Sequence, residues 1–432
     1  MAKKESRHAE LVSASQIIDA PYKLPEGWKW VSLGEVFKVL NGYSFKSDNY
    51  VAKGIRIIRI TNVQDGFIED LKPCFYPNDT VDEIHDYLLY ENDLLISLTG
   101  NVGRIALLPK EYLPAALNQR VACLRPCLDN ILKEFFAFYL REPQFINECI
   151  KSSKGTAQLN MSTEWLKRYP IPLPSSIAEQ QRIVSRIESM FAKLDEAKEK
   201  AQNVVDSFET RKAAILHQAF TGNLTAKWRK ENGVSDDSWV EKTFSEIGAS
   251  NLGKMLDANK NTGDDVRYIR NVNVRWFDFD LSDLLIMKAK PEEIKKLSIK
   301  RGDLFICEGG EPGRCAVWKD NDVDIIFQKA IHRFKPNEGV SSDFVAYSIY
   351  YLNQIGKLSD YFTGTTIKHL TGQSLAKIPL RLPSFYEQQE IVRILDTVLE
   401  KERIAKSAAE QVLEQIDLLK KSILARAFRG EF

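Results

Sequence analysis

No stretch of the sequence is apolar for the roughly 18 residues that a bilayer-spanning helix needs, so no membrane partner is expected. The opening MAKKESRHAELVSAS carries charge but no continuous apolar segment of the kind that starts a secretory signal. The six cysteines (Cys74, Cys123, Cys127, Cys149, Cys307 and Cys315) fall at irregular spacings with no C-x-x-C pair. That pattern argues against a metal knuckle and for reduced, structural thiols in a cytoplasm. An excess of one charge is missing too. The net charge is +1, and basic and acidic side chains nearly balance within 24–175 and again within 236–384. Any anion site must therefore be local.

Catalytic signatures are also absent. The chain has no Pro-Pro pair, hence no D/N-P-P-Y/F tetrapeptide of adenine methylation, and it has no H-E-x-x-H and no G-x-S-x-G. GASNLGKM at 248–255 has the G-x-x-x-x-G-K spacing of a phosphate loop, but no Ser or Thr follows to hold magnesium. Its counterpart FKVLNGYS at 37–44 keeps only the second glycine, so the match reads as coincidence. His332 and His369 stand alone, without metal-ligand spacing. An enzyme is not expected.

What the chain does contain is written twice. SILARAFRGEF at 422–432 nearly repeats AILHQAFTGNL at 214–224. Working backwards, Trp28 aligns with Trp239, Gly42 with Gly253, and IRITNV (58–63) with IRNVNV (269–274). ENDLLISLTGNVGRIAL (91–107) aligns with RGDLFICEGGEPGRCAV (301–317), and Gln119-Arg120 with Gln328-Lys329. SKGTAQL (153–159) aligns with TGTTIK (363–368), and YPIPLPSSIAEQQRIV (169–184) with IPLRLPSFYEQQEIV (378–392). The offset drifts from 211 residues (28 to 239) to 208 (222 to 430), as a few loop insertions and deletions would produce.

Each copy has a β-rich part and a helical part, so the expected class is α+β. Short β-branched runs broken by Gly, Asn and Asp mark modules at 24–175 and 236–384. Helical regions follow at 176–224 and 385–432, with an N-terminal segment at 1–23 and a linker at 225–235. Ser176-Ile-Ala-Glu179 and Ser384-Phe-Tyr-Glu387 fit the S-x-x-E capping box, and Gly222 and Gly430 suit left-handed helix stops. Between these marks runs a heptad. In copy one it is Ile183, Ile187, Met190, Leu194, Ala197, Ala201, Val204, Phe208 and Ile215, with Arg211 in the one polar slot. In copy two it is Ile391, Leu395, Val398, Ala405, Ala409, Val412, Ile416, Leu419 and Ile423, with Glu402 as the polar exception. Two matched seams are each other's simplest partner, and connectivity favours antiparallel pairing. The expectation is a pseudo-twofold molecule with one module at each end of an antiparallel coiled coil.

With these motifs on the page, the chain resembles the specificity subunit of type I restriction-modification systems. The resemblance rests on L-P-x-G-W-x-W at 24–30, DLLISLTGNVG at 93–103 and GTAQL at 155–159. It continues through PIPLP…EQQRIV at 170–184 and AFTGNLTAKWR at 219–229. It covers essentially the whole chain in the family's order of target-recognition domain, conserved helix, recognition domain, conserved helix. The resemblance implies that each module reads one half of a split, asymmetric site in double-stranded DNA. It also implies that the helices dock two modification subunits, which carry S-adenosylmethionine and methylate adenine. A restriction subunit with ATP and magnesium would supply translocation and cleavage. No cofactor is expected in this chain itself. Copy two departs at EGGEPG (308–313) and GTTIK (364–368), as readers of different half-sites should.

The repeat-aligned polar loops supply the candidate DNA contacts. In copy one they are Tyr43, Ser44, Lys46, Asn62, Gln64, Thr99, Asn101, Arg104, Gln119, Arg120, Lys154, Thr156 and Gln158. In copy two they are Lys254, Asn273, Arg275, Glu308, Arg314, Gln328, Lys329, Thr365, Thr366 and Lys368. Arg pairs bidentately with guanine and Asn or Gln with adenine, Glu308 suits a cytosine amine, and Ser, Thr and Lys suit phosphate. Solvated surface or turn capping is the competing reading for each. For the whole chain it is a coiled-coil scaffold that brings protein partners together without touching DNA.

Overall fold

The computed structural model describes residues 21–155, 158–257 and 261–432. The chain forms two compact units, one from residues up to 201 together with 411–432, the other from residues 202–410.

In the first unit the strands are β1 (Trp28–Ser32), β2 (Phe37–Asn41), β3 (Ile55–Ile58), β4 (Phe75–Tyr76) and β5 (Leu88–Leu89). They continue as β6 (Leu94–Ser97), β7 (Ile105–Leu107), β8 (Ala115–Leu117), β9 (Val121–Pro126) and β10 (Pro170–Pro174). They pair in the orders β2-β9-β6-β7, β4-β3-β8-β5 and β1-β10. Strand β6 is buried at every position and apolar up to its final Ser97, as a strand covered on both faces should be. One face packs on helices α1 (Lys133–Tyr139) and α2 (Pro143–Ser152), whose Phe135, Phe136, Tyr139 and Phe145 join Leu94, Ile96, Ile105 and Leu124 in a single core. Pro143 opens α2, where its missing N–H costs nothing.

The helical region that follows divides into α3 (Ile177–Asp206) and α4 (Phe208–Phe220), and a short α5 (Ala226–Glu231) comes next. The break falls at Ser207, whose hydroxyl donates back to the Asn203 carbonyl; such back-bonding competes with the ladder and bends helices.

The second unit repeats the plan with β11 (Val240–Thr243), β12 (Gly248–Leu252), β13 (Asp264–Ile269), β14 (Val274–Arg275), β15 (Asp278–Phe279) and β16 (Leu285–Ala289). After these come β17 (Leu304–Cys307), β18 (Cys315–Val317), β19 (Ile326–Phe327), β20 (Ile331–Pro336), helix α6 (Ser342–Gln354), β21 (Pro379–Leu382) and helix α7 (Phe385–Phe428). The order β12-β20-β17-β18 reproduces that of the first unit's β2-β9-β6-β7 strand for strand, and β11-β21 reproduces β1-β10.

Each unit contains its own stretch of antiparallel helix pairing. In the first, Ile183, Val184 and Ile187 of α3 share a core with Leu424, Ala427 and Phe428 of α7, while Lys420 reaches Asp195 at 2.5 Å. In the second, Leu216, Ala219 and Phe220 of α4 meet Ile391 and Leu395 of α7. There the two polar exceptions of the seam face each other: Arg211 Nε donates to Glu402 Oε2 at 2.7 Å.

One part of the expected seam needs correcting. Ala405, Val412 and Leu419 are exposed, the last two by 39% and 48%. Their places are taken by Lys406, Leu413 and Lys420, which are half-buried. The Lys406 and Lys420 ammonium groups lie 4.9 and 5.0 Å from the ring centroids of Phe208 and Phe191. Their aliphatic stems supply the contact that apolar side chains were expected to make.

Both helix starts are capped, since Ser176 and Ser384 accept from the amides of Glu179 and Glu387 at 3.2 and 3.3 Å. The stops are also as expected, with Gly222 and Gly430 at φ 85° and 76°. The next residue in each helix docks its module. Gln180 is fully buried, accepting from the Leu132 amide (2.9 Å) and donating to the Asn130 carbonyl (3.1 Å). Gln388 does the same with the Ser341 amide (2.9 Å) and the Gly339 carbonyl (3.2 Å).

Candidate nucleic-acid interface

In the first unit a chain of backbone hydrogen bonds gathers the candidate loops. The Tyr43 amide donates to the Leu117 carbonyl (2.8 Å), and the Gln119 amide donates to the Tyr43 carbonyl (2.9 Å). The Leu98 amide reaches Arg120 (3.0 Å), and the Gly100 amide reaches Leu159 (2.9 Å). Lys154 and Asn160 exchange reciprocal backbone bonds at 3.0 and 2.9 Å. The second unit builds the same frame. The Lys254 amide donates to Phe327 (2.8 Å), Lys329 to Lys254 (2.9 Å), Glu308 to Ala330 (3.0 Å) and Leu370 to Glu308 (2.7 Å). Thr363 and His369 close its hairpin at 2.8 and 2.9 Å.

Two glycines permit the close packing. A Cβ on Gly42 would lie 2.2 Å from the Asn118 backbone, and one on Gly253 would lie 2.0 Å from the Phe327 carbonyl. Because the frame is backbone, its side chains are free to differ between copies.

Ser44, Lys46, Asn101, Gln119, Arg120, Lys154 and Gln158 are exposed on the first frame, and Tyr43 is half-buried against Phe45. Thr99 is half-buried, its hydroxyl donating to Asn160 Oδ1 at 3.2 Å. Thr156 lies outside the described residues. On the second frame Arg275, Lys329, Thr365, Thr366 and Lys368 are exposed, while Glu308 and Gln328 are half-buried.

Several candidates have other work. Asn62 is buried: its Oδ1 accepts from the Arg59 amide (2.9 Å) and its Nδ2 donates to Glu69 and Asp70 (both 2.9 Å). Asn273 is likewise buried, between the Arg270 amide (2.8 Å) and the Asp280 carbonyl (2.9 Å). Both asparagines hold a turn and have no amide edge left for a base. Lys254 Nζ is held by both oxygens of Glu293 (2.6 and 2.8 Å), and that contact draws the Glu293 carboxyl below its usual range. Arg104 donates to Gln64 Oε1 at 2.5 Å, so these two candidates satisfy each other. Arg314 is tied to Glu311 (3.0 Å) and the Asn271 carbonyl (2.8 Å).

His332 is buried, and burial pushes its pKa down; its Nε2 donates to the Leu370 carbonyl at 2.9 Å, where it braces the base of the hairpin. Burial pushes the Cys307 thiol up to about 11, away from thiolate chemistry. Among the described residues no cluster of His, Cys, Asp or Glu could hold a metal, and no helix is long and apolar enough to cross a membrane.

The sequence reading missed Met255, Val272 and Ile367, all exposed on the second frame. Comparing copies position by position would have found them, because their counterparts Ser44, Thr61 and Gln158 are polar.

The sequence profile described as "Type I restriction modification DNA specificity domain" matches residues 25–206 and 236–415. Among curated relatives, the EcoBI specificity subunit of Escherichia coli is 24% identical over 96% of this chain and 88% of its own length. The EcoKI specificity subunit of Escherichia coli strain K12 is 23% identical over 95% of this chain and 90% of its own. The EcoAI specificity subunit of Escherichia coli reaches 34% over 40% of this chain, which spans 30% of that relative. Among solved structures, the HsdS subunit of Thermoanaerobacter tengcongensis superposes with a TM-score of 0.66 at 18% identity, covering 95% of this chain and 99% of that one.

Proposed function

The chain belongs to the type I restriction-modification DNA specificity family, and on that premise we propose that it reads a split, asymmetric site in double-stranded DNA, one module per half. The observation that carries this reading is the pair of loop frames. They share backbone geometry yet carry different side chains, as two readers of unlike sequences require. In the first frame the contacts we assign to DNA are Ser44, Lys46, Asn101, Gln119, Arg120, Lys154 and Gln158, with Tyr43 and Thr99 at its edge. In the second they are Arg275, Lys329, Thr365, Thr366 and Lys368, with Glu308 and Gln328 beside them.

The helical regions serve as the docking site for two modification subunits, which bring S-adenosylmethionine, and a restriction subunit brings ATP and magnesium. The complex acts in the cytoplasm. The near balance of charge in each module limits phosphate neutralisation, so the chain alone binds DNA weakly and closes on it firmly only with its partners.

Exchanging residues 24–175 for the equivalent module of a related chain, followed by mapping of methylated adenines, tests the proposal. Half of the methylated sequence should change while the other half stays. An unchanged sequence would favour the scaffold reading instead.

A further inference from the structure

Three equivalent positions on the two frames differ in the same sense. Ser44, Thr61 and Gln158 of the first module become Met255, Val272 and Ile367 in the second. None of the three apolar side chains is sheltered: Met255 is 58% exposed, Val272 46% and Ile367 66%. The loops that carry them belong to the hydrogen-bonded frame already described. Asn271, beside Val272, donates to the Gly309 carbonyl at 3.3 Å, and Gly309 in turn abuts the ring of His369 at the hairpin base. Lys368 is exposed beside Ile367 and Lys329 is exposed on the same frame, and among the described residues neither has an acidic partner.

A single exposed apolar side chain is ordinary, but three gained together at equivalent points of one loop frame mark a surface that a partner covers. The lysines favour a polyanion as the cover. The apolar feature of a base edge within reach of side chains is the thymine 5-methyl group in the major groove. Serine, threonine and glutamine at the same points of the first frame offer hydrogen bonds and no comparable apolar surface.

Resting on the DNA-reading function above, we infer that the second module recognises its half-site in part through thymine methyl groups contacted by Met255, Val272 and Ile367. The first module reads its half mainly by hydrogen bonds.

The test uses the chain assembled with its modification subunits on a duplex carrying the mapped site. The module exchange first assigns each half-site to its module. Each thymine is then replaced by deoxyuridine, which lacks only the methyl group. At least one replacement in the second module's half should weaken binding about fivefold or more, and replacements in the other half should have little effect. In Ile367→Gln, Val272→Thr and Met255→Ser, tested singly, at least one such sensitivity should vanish. All three sites are exposed, so melting temperature should hold.

Deoxyuridine tolerated at every position of that half, or a half-site with no thymine on either strand, overturns the inference. Either result leaves the reading of split DNA intact, because that reading stands or falls with the module exchange.

Discussion

Arg211 and Glu402 interrupt two otherwise apolar helix faces and meet at 2.7 Å, with 35% and 22% of their side chains exposed. Their removal separates two explanations of the pair. At an effective dielectric of about 20 the attraction is roughly 4 kcal/mol, most of it offset by desolvation of both groups. The net coupling in a double-mutant cycle should be about 1–2 kcal/mol.

The single variants should not be equal. Without Glu402, Arg211 still donates to the Val204 carbonyl at 3.2 Å and to the Ser207 hydroxyl. Without Arg211, Glu402 keeps no hydrogen bond among those of the described residues. Arg211→Leu should therefore cost about 1 kcal/mol and Glu402→Leu about 0.5 kcal/mol, while the double variant should match the parent. Urea denaturation of the purified chain measures all three. A double variant less stable than both singles would refute the reasoning. So would an Arg211→Leu cost no larger than that of Glu402→Leu.

The remaining predictions concern other buried contacts. Glu387 is fully buried and accepts from Thr225 (2.7 Å), Arg229 (2.7 Å) and Trp239 (3.2 Å), so Arg229→Met should cost about 3–5 kcal/mol in thermal unfolding, far more than loss of an exposed ion pair. Burial pushes the Glu142 carboxyl up to about 7 against the opposing pull of Arg429. The folded state thus holds this proton more tightly than the unfolded one. The stability is full at acidic pH, below the unfolded carboxyl range, and is lost as pH rises through about 7. Glu142→Gln should remove that dependence, worth about 3 kcal/mol between pH 5 and 8 by urea midpoints. Gly42→Ala drives a methyl into the Asn118 backbone and should cost about 1–3 kcal/mol in chemical denaturation, whereas Gly372→Ala, whose methyl meets only the His332 ring at 3.6 Å, should cost less.

Much of the fold was legible because the chain states it twice. One capping serine is weak evidence, whereas Ser176 and Ser384 in register, each followed by a heptad and a glycine stop, leave little room for another reading. Individual contacts were harder to read. Asn62 and Asn273 have the side chain that reads adenine, yet the same short amide also closes turns, and only the fold shows that both are buried. Lys254 looked like a free cation until β12 and the segment around Glu293 brought carboxylate and ammonium together. On α7, Glu402, Ala409, Ile416 and Ile423 are common to two alternating patterns, one completed by Ala405, Val412 and Leu419, the other by Lys406, Leu413 and Lys420. Hydrophobicity favours the first, and the structure adopts the second.

From the sequence alone came the repeat, the alternation of β-rich and helical parts, the capped helix starts with their glycine stops, and the seam's polar exceptions. All of these depend on spacing along one chain, which periodicity and capping chemistry determine locally. The tertiary structure decided which residues meet: Arg211 with Glu402, lysine stems over Phe191 and Phe208, and apolar side chains left bare on one frame where the other is polar. Such pairings depend on the shape of the opposing surface, and no periodicity within a single segment encodes it.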